Sequence, residues 1–355
     1  MSFSFGNKIK ITMFGQSHSE KMGVIIDGLP SGFKVDEEKL AAFMARRAPG
    51  NDEFSTPRKE GDKVIFASGL VDGKTCGAPV CAIIENTNTR SKDYENLRDV
   101  PRPGHADFAA WAKFGDERDV SGGGQFSGRL TALFCVVGGI LMQLYEEKGI
   151  YIGAHIASIG EIKDDAFDGV NVTKDDFVGD KAFPVINENK GELMKEHIRK
   201  ARADGDSVGG VVECAVVGIK SGLGDTLFGG IEGRISSAIF AIPAVKGIEF
   251  GRGFESALLY GSENNDAFIV KDGQIVTKTN NHGGILGGIS SGMPIIFRAA
   301  FKPTPSISKP QQSVSLSRKE ETILEIKGRH DPCIVKRATV CIEAAAAVAI
   351  ADLVL

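Results

Sequence analysis

An α+β fold with helices sandwiched between antiparallel β-sheets is what this 355-residue chain predicts, and three observations carry the expectation. Apolar residues occur all round the segment 130–145 rather than along one stripe, so that helix needs cover on more than one face. Strand-like and helix-like segments come in groups instead of a regular βαβ succession. Asp272-Gly273 stands between two β-patterned runs, a hairpin signal.

Along the chain, 37–47 reads as a helix behind an Asp36 cap, stopped by Pro49-Gly50. Residues 64–70 and 79–84 read as strands. The apolar helix 130–145 contains Thr131, Gly138, Gly139 and Gln143 and falls short of the ~20 residues of a membrane span, so it belongs in a core. The acidic stretch 163–180 reads as a solvated insertion. A helix over 191–203 ends before Gly205, and strands follow over 211–217 and 295–301, with the hairpin 268–277 between them. The C-terminal segment 332–355 has Asp331 as its cap, Pro332 in its first turn, and Val335, Ala338, Ile342, Ala345 and Ala349 at helical spacing. No linker or low-complexity run divides the chain, so one domain spanning 1–355 is expected. Two glycine-bearing halves, roughly 1–150 and 205–355, suggest an internal duplication for which no residue-level period speaks.

Glycine supplies 44 residues, about 12% against a typical ~7%, without a Gly-X-Y period. The 42 basic and 46 acidic side chains give a net charge of −4, so no global field favours nucleic acid or an anionic membrane, and any anion site must be local. Six cysteines without a C-x-x-C pair or zinc-finger spacing point to reduced thiols in the cytoplasm, and the N-terminus lacks the order of a signal peptide.

Two nucleotide motifs are near misses. Gly123 to Leu130 resembles a phosphate loop, but Arg129 replaces the lysine and Leu130 the Ser or Thr. Gly251-Arg252-Gly253 follows a strand-like run, yet Ser256 replaces the third glycine of a dinucleotide fingerprint. What survives is physical: glycine clusters such as Gly122 to Gly124 let backbone N–H groups approach anionic oxygens.

Polar residues gather around these turns. Arginines 46, 47, 102, 129 and 329 suit a multiply anionic ligand, since guanidinium forks match carboxylate and phosphate. His18 and His105 suit proton transfer near neutrality, and no ligand set for a metal assembles. Each has a plainer role open to it: Asp331 as a helix cap, Ser127 as a local backbone cap, Arg46 and Arg47 as complements to a helix dipole.

Taken together, these stretches resemble the chorismate synthase family along essentially the whole chain. They are Gly15-Gln16-Ser17-His18 with Gly23 to Gly28, Asn86-Thr87 through Arg90 to Tyr94, Arg102-Pro103-Gly104-His105-Ala106-Asp107, Gly122 to Gly124, Asn281 through Gly292, Lys302-Pro303-Thr304, and Gly328-Arg329-His330-Asp331-Pro332-Cys333. The resemblance implies a lyase of aromatic amino-acid biosynthesis that converts 5-enolpyruvylshikimate 3-phosphate to chorismate and phosphate by anti 1,4 elimination. Reduced FMN serves without net redox change, and NADPH enters only indirectly, through a separate flavin reductase or the cellular pool. A cytoplasmic homotetramer is implied. By motif, His18 would balance or protonate the reduced flavin, His105 would assist phosphate departure, and Asp331 would act with flavin N5 in taking the C6 proton. Ser17, Arg47, Arg102, Ser127, Arg129 and Arg329 would hold substrate. Gln125, Phe126, Ser127, Ala244, Gly287, Lys302, Pro303, Thr304, Pro305, Ser306 and Arg329 would contact flavin.

The sequence departs from the family pattern at Gln16 and Ser19, which replace Glu and Gly, at Gln125 and Phe126, which replace Arg and Ser, and at Pro243, which replaces Asn. Ala48, Glu53 and Ser121 stand where arginines are frequent. A flavin reductase and a non-catalytic flavin- or anion-binding paralogue are the alternatives, separated by NADPH oxidation and by turnover.

Overall fold

A computed structural model describes residues 3–49, 54, 61–87, 97–326 and 331–355. Two five-stranded antiparallel sheets face a layer of helices between them. The first runs in the order Ser4–Phe5, Lys10–Phe14, Lys21–Asp27, Val80–Glu85, Val64–Ser68, and the second in the order Val245–Phe250, Ile295–Phe301, Gly210–Val217, Tyr151–Ile159, Ile162–Lys163. Alternation sets the register of the first sheet: Met22 pairs Ile84 and Val24 pairs Ala82, all four buried. The second sheet is apolar nearly throughout, because Tyr151–Ile159 and Gly210–Val217 are covered on both faces.

The helix layer forms from Glu37–Arg47, Thr131–Glu146, Ile231–Phe240 and Val335–Val354. Gly138 and Gly139 set its spacing. A Cβ on Gly138 would overlap the Ala344 backbone, and one on Gly139 would lie 2.7 Å from Leu40 Cδ1. These glycines let helices approach more closely than side chains allow, and the Tyr145 hydroxyl donates to Ala347 O at 2.7 Å to fix the pair. Glu343, buried on the C-terminal helix, accepts from both terminal nitrogens of Arg46 at 2.7 Å and from Ala154 N at 2.9 Å, which ties two helices to the second sheet. One connected core runs through both sheets and the helices.

Most sequence-predicted elements form close to their expected bounds. Asp36 caps Glu37–Arg47, accepting from Lys39 N at 2.9 Å. The hairpin turns at Asp272 and Gly273, both at positive φ. The predicted strand 64–70 ends at Ser68, because Gly69 turns the chain at φ +86 against the Val80 backbone. Two expectations are corrected. Asp331 does not cap the C-terminal helix, which begins at Val335; its carboxylate is taken by Arg337 at 3.1 Å. The stretch 163–180 is not merely solvated: the Asp164 side chain is fully buried, and Phe167 and Val172 form a small core of their own against Ala215 and Ile296.

Candidate active site

The Gly122–Gly123 backbone separates two histidines. Gly122, Gly123 and Gly124 all adopt positive φ, which glycine tolerates at little cost. A Cβ on Gly122 would overlap the His18 ring and lie 2.7 Å from Ser17 Oγ, while one on Gly123 would lie 3.3 Å from His105 Cε1 and Nε2. The glycines therefore let two imidazoles close on one stretch of main chain. The buried helix begins beyond them, at Thr131. Ser17 N donates to Gly124 O at 3.1 Å and locks the first histidine loop to this turn. Ser19 braces that loop: its hydroxyl accepts from Gln16 N at 2.9 Å and donates to Lys21 O at 2.7 Å.

Beside His105, Asp107 accepts at 2.6 Å from His105 Nδ1 and at 2.7 and 2.9 Å from the Arg102 guanidinium. Burial alone would raise the Asp107 carboxyl, but hydrogen bonds from Arg102 and His105 outweigh it and hold the group well below the usual carboxylate range. Arg102 also donates to Ser306 Oγ at 3.2 Å, and Lys302 Nζ donates to Gly104 O at 2.6 Å, so the segment 302–306 joins the second histidine loop. Lys302 N donates to Ala244 O at 3.0 Å, which brings Ala244, itself at φ +76, to the same edge. Burial first, and then the charge of Lys246, lower the Lys302 pKa. An anion placed there would relieve both effects.

Behind His18 lies a second ionic group. Arg47 donates to Asp62 at 2.7 and 3.0 Å, Arg129 ion-pairs with the other Asp62 oxygen, and all three are buried. Burial raises the Asp62 carboxyl, yet the two guanidiniums outweigh it and keep it ionised. Among the described residues two guanidiniums share this one carboxylate. Asn86 connects this group to the histidine loop, accepting from Arg129 Nε at 3.0 Å and donating to Ser19 O at 2.7 Å. Arg337 Nε donates to Arg47 O at 2.8 Å and so places Asp331 beside it.

The structure thus gathers Ser17, His18, Arg47, Arg102, His105, Arg129, Lys302, Ser306 and Asp331. Ser17 Oγ and Thr304 Oγ1 are buried without a hydrogen-bond partner among the described residues, which suits hydroxyls that await a ligand. Ser127 serves as a local cap, accepting from Arg129 N at 3.3 Å. Gln125 and Ser127 line a largely apolar cavity of about 400 Å³ with Phe3, Phe14, Phe134 and Pro243. Phe126 is exposed, and Gly287 sits at an exposed hairpin tip where an added Cβ would meet nothing. Arg329 lies outside the described residues, as do Glu53 and the motif stretch 88–94. Gly251 is a backbone crossing, donating to Ile296 O at 2.9 Å, and not part of a nucleotide turn.

Sequence reasoning missed Asp62 altogether and gave Asp107 no role. Neither had a local signal, since each is defined by what it accepts from. Another such chain joins Asp266, His282 and Ser291: His282 Nδ1 bonds Asp266, and Nε2 lies 2.8 Å from Ser291 Oγ.

The family described as Chorismate synthase matches residues 9–355. The chain is 44% identical to the chorismate synthase of Lancefieldella parvula, over 99% of this chain and 96% of that protein. It is also 44% identical to that of Thermococcus kodakarensis, over 98% and 96%. A crystal structure of chorismate synthase superposes with a TM-score of 0.75 at 27% identity, covering 98% of this chain and 91% of the other.

Proposed function

This chain belongs to the chorismate synthase family and is a lyase, and we propose that it converts 5-enolpyruvylshikimate 3-phosphate to chorismate and inorganic phosphate by anti 1,4 elimination with reduced FMN and no net redox change. The observation that carries the reading is the pair of histidines closed on the Gly122–Gly123 backbone, each loop tied to its own set of arginines and a carboxylate.

The donor set suits both ligands. Arg47 and Arg129, with the Ser17 hydroxyl, would bind substrate anions, and Arg102 would add a further cation. Lys302, Thr304 and Ser306, with Ala244, would hold the flavin; the unpartnered Thr304 hydroxyl and the desolvated Lys302 ammonium suit a phosphate-bearing cofactor. Reduced FMN, when bound, supplies transient electron density that eases loss of phosphate from a ring whose C–H is a poor acid. His105 would deliver a proton from Nε2 to the departing phosphate, His18 would balance charge on the opposite side of the glycine turn, and Asp331, steadied by Arg337, would accept the C6 proton. The electron pair of the broken C–H bond becomes the new double bond, and that of the C–O bond leaves with phosphate.

NADPH is needed only for a separate reductase that supplies reduced flavin. A homotetramer is supported by bulky apolar side chains left in solvent, with Phe228, Phe254, Leu258 and Tyr260 each more than three-quarters exposed. The test is anaerobic incubation of substrate with the protein and reduced FMN. Chorismate and phosphate should appear in equal amounts while the flavin spectrum ends as it began. NADPH oxidation without chorismate would instead identify a flavin reductase.

A further inference from the structure

We propose that Asp107 is the positioning residue of this site, fixing the His105 imidazole with its proton on Nδ1 and its Nε2 on the Gly123 side, and clamping Arg102 in the same grip; the inference rests on the elimination reading. Asp107 is the first residue of the helix Asp107–Phe114, where a carboxylate meets the favourable end of the helix dipole. Its oxygens do different work. Oδ1 lies 2.6 Å from His105 Nδ1 and 2.9 Å from an Arg102 terminal nitrogen. Oδ2 accepts two donors from Arg102, Nε at 2.7 Å and the backbone N at 3.0 Å. The Arg102 terminal nitrogen also lies 3.1 Å from His105 Nδ1, but it already donates to Oδ1 at 2.9 Å, whereas the 2.6 Å contact between Nδ1 and an accept-only carboxylate requires a proton; Nδ1 therefore carries it and the neutral ring is left with a bare Nε2. The Gly123 backbone lies against that Nε2 edge. Once protonated, the ring presents an Nε2–H toward the glycine turn while Asp107 balances its charge. Arg102 carries the effect further through Ser306, so one carboxylate aligns the proton donor, an anion-binding fork and the 302–306 segment.

The geometry specifies what Asp107→Asn does. The Oδ2 position faces two Arg102 donors and the Oδ1 position one, so the oxygen stays at Oδ2, the amide nitrogen falls at Oδ1 and donates to His105 Nδ1, and one Arg102 terminal nitrogen loses its acceptor. The neutral ring then moves its proton to Nε2 and can no longer take one up there. The experiment is nitrogen NMR of histidine-labelled protein, with the His105 signal assigned through His105→Gln, alongside anaerobic phosphate release. Wild type is expected to show the Nδ1–H form and Asp107→Asn the Nε2–H form, with kcat reduced at least about 100-fold and KM within about threefold. Asp107→Glu, which keeps the acceptor, should restore the Nδ1–H form. An Nε2–H form in the wild type overturns the proposal, and this result needs no variant to fold. So does an Asp107→Asn protein whose kcat stays within threefold, or one whose defect lies wholly in KM. A wild type with the Nδ1–H signal but no phosphate release would sink the elimination reading and leave the positioning geometry standing.

Discussion

His18 and His105 close on two residues that have no side chain, and the site depends on that. Gly122→Ala would overlap the His18 ring at a positive φ, so turnover should fall about 100-fold in a phosphate-release assay. Asp62 is the second single-residue dependency. It is a buried carboxylate that two buried guanidiniums share, and Asp62→Asn removes the negative charge that pairs with both, so urea denaturation should report a loss of about 3–5 kcal/mol. A loss below 1 kcal/mol would mean that the pairing is not what holds Arg47 and Arg129. The histidines and arginines were legible in the sequence because glycine-flanked polar motifs mark turns. Asp62 was not, because its partners stand 15 and 67 residues away and no spacing rule links them. Arg47, Arg102 and Arg129 were read as grips for ligand; each is already held by a carboxylate of the chain itself.

Among the elements, Thr131–Glu146 and Val335–Val354 were the most legible, since their apolar character all round demanded a covered layer. Gly138→Val should lower the thermal midpoint, by about 1–3 kcal/mol in stability, because the Ala344 backbone cannot move aside as a side chain would. The strand Tyr151–Ile159 escaped sequence reading because His155 and Gly153 interrupt its apolar run. His155 is fully buried between Glu213, 2.9 Å from Nε2, and Asp164, 3.3 Å from Nδ1. Burial pushes its pKa down, but the two carboxylates outweigh burial and raise it. A raised folded pKa contributes stability in full below the unfolded value of about 6.5 and loses it as pH rises through the folded value. Urea denaturation should therefore show wild-type stability falling as pH rises above about 6.5. That fall should be smaller in His155→Gln; an equal fall in both would remove His155 as its cause.

For the molecule as a whole, a net charge of −4 leaves any anion site to local geometry, and the proposed one draws on the buried arginines around the glycine turn. The glycine excess was legible as turns. Its use in spacing helices and in seating two histidines was not, because only three dimensions show what a missing Cβ makes room for. Exposed Phe228, Phe254 and Leu258 lead us to expect light scattering at four times the 37.8 kDa chain mass. A monomer at micromolar concentration would contradict the homotetramer. The most direct measurement of the proposed chemistry is single-turnover phosphate release from 5-enolpyruvylshikimate 3-phosphate with reduced FMN under anaerobic conditions, in wild type, His105→Ala and Asp331→Ala. Wild type should release one phosphate per site, and each variant should be at least about 100-fold slower. No wild-type release above background would contradict the elimination, and equal rates in all three would contradict the roles given to His105 and Asp331.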